Sequence, residues 1–88
     1  MRDMVRVRAE ILRDGKLVVA GVSARLDEES RGWSGEFEDL AIPTAERLLG
    51  SKRPVQIRFE DGRSGDALIT LIDIGTGEVT FQGTSPLR

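Results

Sequence analysis

The chain of 88 residues contains no cysteine, no histidine and no tyrosine. Without cysteine it can form neither a disulfide framework nor a thiolate metal site. Without histidine or cysteine, the Ser-His-Asp and Cys-His nucleophile arrangements and the usual zinc-hydrolase sites are excluded. Carboxylates, lysine, arginine and hydroxyl groups are the reactive side chains that remain. We therefore predict that the protein is not an enzyme and holds no cofactor or metal.

Long apolar runs are also missing. No stretch approaches the roughly 18 residues that span a membrane. The N-terminal residues carry charges where a secretion signal needs an apolar segment. A chain of this length is expected to form one domain, residues 1–88, and to bury about 60–65% of its unfolded surface. These features predict a small cytoplasmic domain that makes no membrane contact.

Strong charge of one sign is absent, and aromatic residues are few. The chain has 13 Lys and Arg against 15 Asp and Glu, a net charge of −2. Nucleic-acid binding depends on clustered basic residues that neutralise phosphates, and the basic residues here are scattered. Four aromatic residues do not make the stacking platform of single-strand binders. The sequence argues against a nucleic-acid partner.

The clearest positive pattern is an alternating apolar run that reaches Asp-Gly and then resumes, and it occurs twice. The first turn is Asp14-Gly15 and the second is Asp61-Gly62. Asp-Gly between alternating runs predicts a β-hairpin with a two-residue type I′ turn, which needs positive φ at both residues.

The residues around the first turn predict two strands, over 4–12 and 17–26. Gly21 lies inside the second strand, where it predicts a bulge or a sharp bend. The apolar residues in phase on the first strand are Val5, Val7, Ala9 and Ile11. Those in phase on the second strand are Val18, Ala20, Val22, Ala24 and Leu26, with Leu17 and Val19 on the opposite face.

A charged loop is expected over 27–32, followed by a short strand that alternates through Trp33, Gly35 and Phe37. Pro43 suits the first helical position and Gly50 a left-handed C-terminal cap, so a short helix is predicted over 43–49. Its Ala45, Leu48 and Leu49 are expected to plug one end of the sheet.

Three more strands are expected in the second half, around Val55–Phe59, Ala67–Ile74 and Val79–Phe81. The middle one is almost continuously apolar, which is typical of a strand buried on both faces or curled into a barrel. Two three-stranded meanders of this size cannot each bury a core alone. We predict a mainly β fold in which they close into a small six-stranded antiparallel barrel, although a tight sandwich is also compatible with the pattern.

Two polar clusters have both a functional and a structural interpretation. The acidic residues between 27 and 39 could supply a carboxylate pair or oxygen ligands for a cation. Their spacing fits no EF-hand loop, and we interpret them as solvated loop and sheet residues. The glycine-rich segments 62–65 and 75–77 lack the lysine and context of phosphate loops, and we interpret them as hairpin turns.

Arginines supply the only anion-binding candidates. Arg6, Arg8 and Arg58 are expected on outward faces, where they form a basic stripe if the first and fourth strands are neighbours. Glu10 and Glu60 would then face them in cross-strand pairs. Arg2, before the first strand, is a further anion-contact candidate.

In size, the predicted barrel resembles SH3-like domains and the PilZ-type cyclic-dinucleotide receptors. PilZ-type receptors carry an RxxxR segment before the barrel and a D/NxSxxG motif on it. Arg2-Asp3-Met4-Val5-Arg6 satisfies the first spacing, whereas Asp27-Glu28-Glu29-Ser30-Arg31-Gly32 has the residue types of the second motif at a different spacing. The chain is therefore not assigned to that family. The resemblance implies a nucleotide-binding alternative.

The apolar excess on the second and fifth strands leads to our functional prediction. One small barrel fills a single interior, so some of these side chains are expected outside, where an apolar patch usually marks an interface. We predict a non-enzymatic binding or assembly module that contacts a protein partner or a second copy as a homodimer. The alternative is a small-ligand or nucleotide-binding barrel that uses Arg2, Arg6, Arg8 and the 27–33 loop. The interface candidates are Leu17, Val19, Trp33, Leu68, Ile72 and Ile74.

Overall fold

Strands and one helix form a closed antiparallel barrel in the computed structural model, which describes residues 4–29 and 32–88. Within those ranges the elements are β1 (Val5–Arg13), β2 (Lys16–Glu29), β3 (Gly32–Phe37), α1 (Ile42–Ser51), β4 (Val55–Phe59), β5 (Ser64–Asp73) and β6 (Glu78–Gly83). Their order around the barrel is β1-β2-β3-β6-β5-β4, and β4 pairs with β1. The predicted six-stranded barrel of two meanders with one short helix is confirmed.

An aromatic cluster joins the two meanders inside the barrel. The rings of Phe37 and Phe81 lie 4.6 Å apart, and the Trp33 ring lies 6.0 Å from both Phe81 and Phe59. Alternate residues of every strand complete the core, as a half-buried pleat requires. The largest fully buried side chains besides the phenylalanines are Ile11, Ile57, Val22, Val55 and Val79.

The first Asp-Gly turn has the predicted geometry. Asp14 and Gly15 have φ values of 52° and 76°, and they connect the paired residues Arg13 and Lys16. Two positive φ values match the right-handed twist of the flanking strands, which is why this turn type is favoured in hairpins. The prediction of a two-residue type I′ turn is confirmed here.

The second Asp-Gly turn differs from the prediction. Gly62 alone has positive φ, 96°, and its N–H donates to the carbonyl of Phe59 at 3.0 Å. The Phe59 N–H donates to the carbonyl of Arg63 at 2.8 Å, so the loop has three residues instead of two. The carboxylate of Asp61 accepts hydrogen bonds from the N–H and Nε of Arg63 at 3.0 and 2.9 Å. These local bonds favour the longer loop, because a short acidic side chain stabilises a turn that extends two residues beyond it.

The bulge predicted at Gly21 is present in β2. Ala9 lies opposite Val22 and Ile11 lies opposite Val19, so two residues of β2 face one residue of β1. An extra residue in one strand shifts the alternation of side chains beyond it.

That shift overturns part of the predicted inward face. Val19 packs against the core, whereas Val18 and Ala20 are exposed, the reverse of the expected phase. Past the bulge the prediction is correct, and the buried residues are Val22, Ala24 and Leu26.

The helix is longer than predicted. It spans Ile42–Ser51 instead of 43–49, and Gly50 belongs to its last turn. The left-handed cap is Lys52, with φ of 55°, so the assignment of Gly50 as the cap is wrong. The hydroxyl of Ser51, in the last turn beyond Gly50, donates to the carbonyl of Leu48 at 2.9 Å and accepts a hydrogen bond from Arg13.

Strand direction divides the barrel into two ends. The upper end carries the β1–β2 turn, the β5–β6 turn and α1, whose Ala45 and Leu48 are buried as predicted. The lower end carries the β2–β3 connection, the β4–β5 loop and residues 84–88. The charged loop expected over 27–32 is shorter than predicted, because β2 continues to Glu29 and β3 begins at Gly32.

Candidate functional site

Four large apolar side chains are exposed at the upper end, and we call them the upper apolar set. Leu17 and Val18 follow the β1–β2 turn and are 52% and 41% exposed. Leu71 lies near the end of β5 and is 59% exposed, and Ile74 begins the β5–β6 turn and is 82% exposed. The interior is already filled by the core, so these side chains have no place inside the barrel.

Bulges determine which of the predicted interface residues reach the surface. In β5, Ile69 lies opposite Phe81 and Leu71 lies opposite Thr80, so the strand carries one extra residue between them. Side-chain phase shifts there, and Leu71 points outward. Leu71 and Val18 were not among the predicted interface candidates. For Val18, the bulge predicted at Gly21 was the signal that could have shown that the side chain points outward.

The interface candidates therefore do not form one surface. Leu17 and Ile74 are exposed, and Leu68 is half-buried. Val19 and Ile72 pack against the core. Trp33 is 4% exposed and is a core residue, because its phase with Phe37 places it inside the barrel.

An unpaired strand edge lies beside Leu17 and Val18. β3 pairs with β2 only from Ala24 to Glu29. At the next residue the Ser23 N–H donates to Asp39 Oδ1 at 2.7 Å, and the Ser23 carbonyl accepts from the Glu38 N–H at 2.9 Å. Over Lys16–Val22, which we call the β2 edge, no other strand in the described part of the chain pairs with the side away from β1.

The basic stripe forms where the sequence predicted it, because β1 and β4 are neighbours. Glu10 lies opposite Arg58, and Arg58 Nε donates to its carboxylate at 2.9 Å. Arg6 donates to both carboxylate oxygens of Glu38, at 3.0 and 3.2 Å. Two of the predicted anion-contact residues, Arg58 and Arg6, thus already bind carboxylates of their own chain.

Arg8 has a different environment. Its guanidinium donates to Ser23 Oγ at 3.1 Å and lies over Gly21, where an added Cβ would be 3.0 Å from Nη2. Glu60 accepts the backbone N–H of Arg8 at 3.1 Å, so this predicted pair is made through the main chain. Arg2 lies outside the described residues.

A cluster of three charges lies on the outer face of β2, β3 and β6. Arg25 is 2.7 Å from Glu36 and 3.0 Å from Glu78. The pKa of Glu78 is raised above its ordinary value because its protonated carboxyl donates a hydrogen bond to Glu36, and the electrostatic attraction of Glu36 raises the pKa of Arg25. The described residues contain no group of three or more Asp or Glu arranged to hold a metal ion.

A pocket of about 490 Å³ opens at the lower end, with residues 28, 29, 32 and 33 on one side and residues 83–87 on the other. Trp33 forms its inner wall, and its Nε1 donates to the carbonyl of Ser85 at 2.7 Å. The charged groups that line the described part of the pocket are Glu28 and Glu29. Four residues of the predicted 27–33 loop, at positions 28, 29, 32 and 33, thus border a pocket, as the ligand-binding alternative requires, but Arg6 and Arg8 do not line it.

Comparison of the chain with protein-family models, curated proteins and solved structures finds no match. Among the described residues, the structure contains no helix of the length and apolar character needed to cross a membrane.

Proposed function

We propose that the protein is a non-enzymatic binding or assembly module that acts through protein–protein contact and associates with itself. The observation that carries the proposal is the exposed pair Leu17 and Val18 on the β2 edge, to which Leu71 and Ile74 add exposed apolar surface at the same end but three strands away around the barrel. Exposed apolar patches mark interaction sites, and an unpaired strand edge offers backbone hydrogen bonds to another chain. Both features occur at the same end of the barrel.

Sedimentation equilibrium over a range of concentrations tests the proposal. We expect the apparent mass to rise above that of the 9.7 kDa chain as concentration increases. Replacing Leu17 and Val18 together by Asp should return the protein to a monomer, because burying these charges in an interface is costly. The control is Val5→Asp, since Val5 is also exposed, at 61%, but lies at the lower end.

A monomeric mass at all concentrations would contradict self-association. The measurement should reach about 1 mM, where a contact of only about 4 kcal/mol is half-formed. Loss of association in the Val5→Asp control, with the upper-end variant unaffected, would place the contact elsewhere.

The second candidate is a small-ligand or nucleotide-binding barrel that uses Arg2, Arg6, Arg8 and the 27–33 segment. The lower pocket supports it, because its size falls within the usual range for small-molecule sites. The negative charges of Glu28 and Glu29, on the described lining of the pocket, would repel an anionic ligand. Thermal unfolding with added nucleotides separates the two candidates, since a ligand that binds the native state raises the melting temperature.

A further inference from the structure

We propose that the β2 edge pairs with the same edge of a second copy in antiparallel orientation, so that two barrels share a continuous sheet. This inference rests on the proposed self-association and names its surface. Leu12 and Leu17 form the second pair from the two-residue turn, one step beyond Arg13 and Lys16, and in such a hairpin the second pair has no mutual hydrogen bonds. The N–H and carbonyl of Leu17 therefore point away from β1 and are available to a second copy.

The side chains of the edge suit pairing with a copy of itself. From Leu17 to Ser23 the strand carries no charge. Val19 and Val22 pair with Ile11 and Ala9 of β1, so the outward backbone groups of the segment are those of Leu17 and Ala20. An antiparallel pairing that places Leu17 opposite Ala20 and Val18 opposite Val19 brings these groups together and opposes no like charges. Charged side chains are one device by which natural edges avoid association, and this segment carries none.

Charge complementarity fixes the orientation. Lys16 lies at one end of the edge, and the Asp39 carboxylate lies at the other, where it accepts the Ser23 N–H. Among the described residues Lys16 has no ion-pair partner within its own chain. Antiparallel pairing brings Lys16 of each copy to Asp39 of the other, twice by two-fold symmetry. Parallel pairing would instead place the two lysines together.

The test is sedimentation equilibrium of the full chain with variants along the edge. Ala20→Lys should weaken the dimer at least about tenfold, because it puts a charge in the centre of the shared sheet. Ile74→Lys is the matched control, since it adds the same charge at the upper end but away from the edge. Circular dichroism melting confirms that each variant is folded.

A charge exchange tests the orientation directly. Lys16→Asp and Asp39→Lys should each weaken self-association, because each homodimer then opposes like charges twice. An equal mixture of the two variants should form heterodimers with an affinity within about threefold of the wild type, since both ion pairs are restored. Failure of the mixture to associate, while both variants remain folded, would overturn the antiparallel assignment.

The outcomes separate this inference from the proposed function. If the wild type is monomeric to about 1 mM, both fail. If the wild type associates and Ile74→Lys abolishes association while Ala20→Lys and Lys16→Asp leave it unchanged, the β2 edge is wrong and the proposed function stands. Growth beyond a dimer would also contradict the inference, because two-fold pairing of one edge closes at two copies.

Discussion

Replacement of Gly35 by alanine probes the tightest contact made by a glycine in the described residues. Gly35 lies in β3, opposite Leu26 of β2 and Phe81 of β6. A Cβ at this position would be 2.6 Å from Phe81 Cζ and closer still to the carbonyl oxygen of Arg25. The oxygen belongs to a paired strand and cannot rotate away, and the Phe81 ring is fully buried against Phe37. The methyl group can be accommodated only if β2 and β3 separate.

The size of the effect follows from two opposing contributions. Overpacking of a well-packed core typically costs about 1–3 kcal/mol, and a clash with backbone belongs at the upper end of that range. Alanine also reduces the conformational freedom of the unfolded chain, which stabilises the folded protein by about 0.4–1 kcal/mol. However, the substitution also strains the strand-pairing hydrogen bonds next to Gly35. We expect the free energy of unfolding to fall by about 3 kcal/mol, which lowers the melting temperature by roughly 12–24 °C.

Urea unfolding followed by the fluorescence of the single buried tryptophan measures this change. The control is Gly50→Ala in α1, where no atom lies within 4 Å of the added Cβ and φ is ordinary. That substitution should raise the free energy of unfolding by about 0.5–1 kcal/mol, because alanine favours helix. If Gly35→Ala is within about 0.5 kcal/mol of the wild type, the close approach of β2 to β3 is wrong.

Two further substitutions test the outer charge cluster and the lower pocket. The hydrogen bond to Glu36 raises the folded-state pKa of Glu78, so protonated Glu78 stabilises the folded protein. This stabilisation is complete below the unfolded pKa of about 4.3 and is lost as pH rises through the folded pKa. In urea titrations, the free energy of unfolding of the wild type should therefore fall relative to that of Glu78→Gln between pH 4 and pH 7. If the wild type keeps or gains stability relative to Glu78→Gln over this range, the direction of the pKa shift is wrong. Trp33→Phe removes the hydrogen bond to Ser85, so we expect a loss of about 2 kcal/mol by circular dichroism melting, and an unchanged melting temperature would refute this role.

Local turn chemistry made much of the barrel predictable. Asp14-Gly15 adopts the type I′ geometry that its sequence favours, and the alternation through Trp33 and Phe37 correctly predicts the inward face of β3. Both signals depend on neighbouring residues alone. The closure of the sheet into a barrel could be predicted only from the number of strands and from the inability of two three-stranded meanders to bury separate cores.

Features set by pairing with a distant strand were less predictable. The exposed positions of Val18 and Leu71 depend on bulges, and a bulge is defined by how many residues the partner strand presents. The last turn of α1 includes Ser51, which accepts a hydrogen bond from Arg13, a residue remote in sequence. The unpaired β2 edge likewise exists because β3 is shorter than β2, and no local pattern in β2 encodes the length of β3.

The pairing of β1 with β4 has a consequence for the order in which the molecule can be made. β1 is complete at residue 13, but its second neighbour ends at residue 59. At synthesis rates of roughly 5–20 residues per second, about 2–9 s pass between the synthesis of residue 13 and that of residue 59. Throughout this interval one flank of β1 is open to any extended peptide in reach. A nascent chain stalled before residue 55 should therefore be a client for chaperones, whereas a chain released after β6 should not.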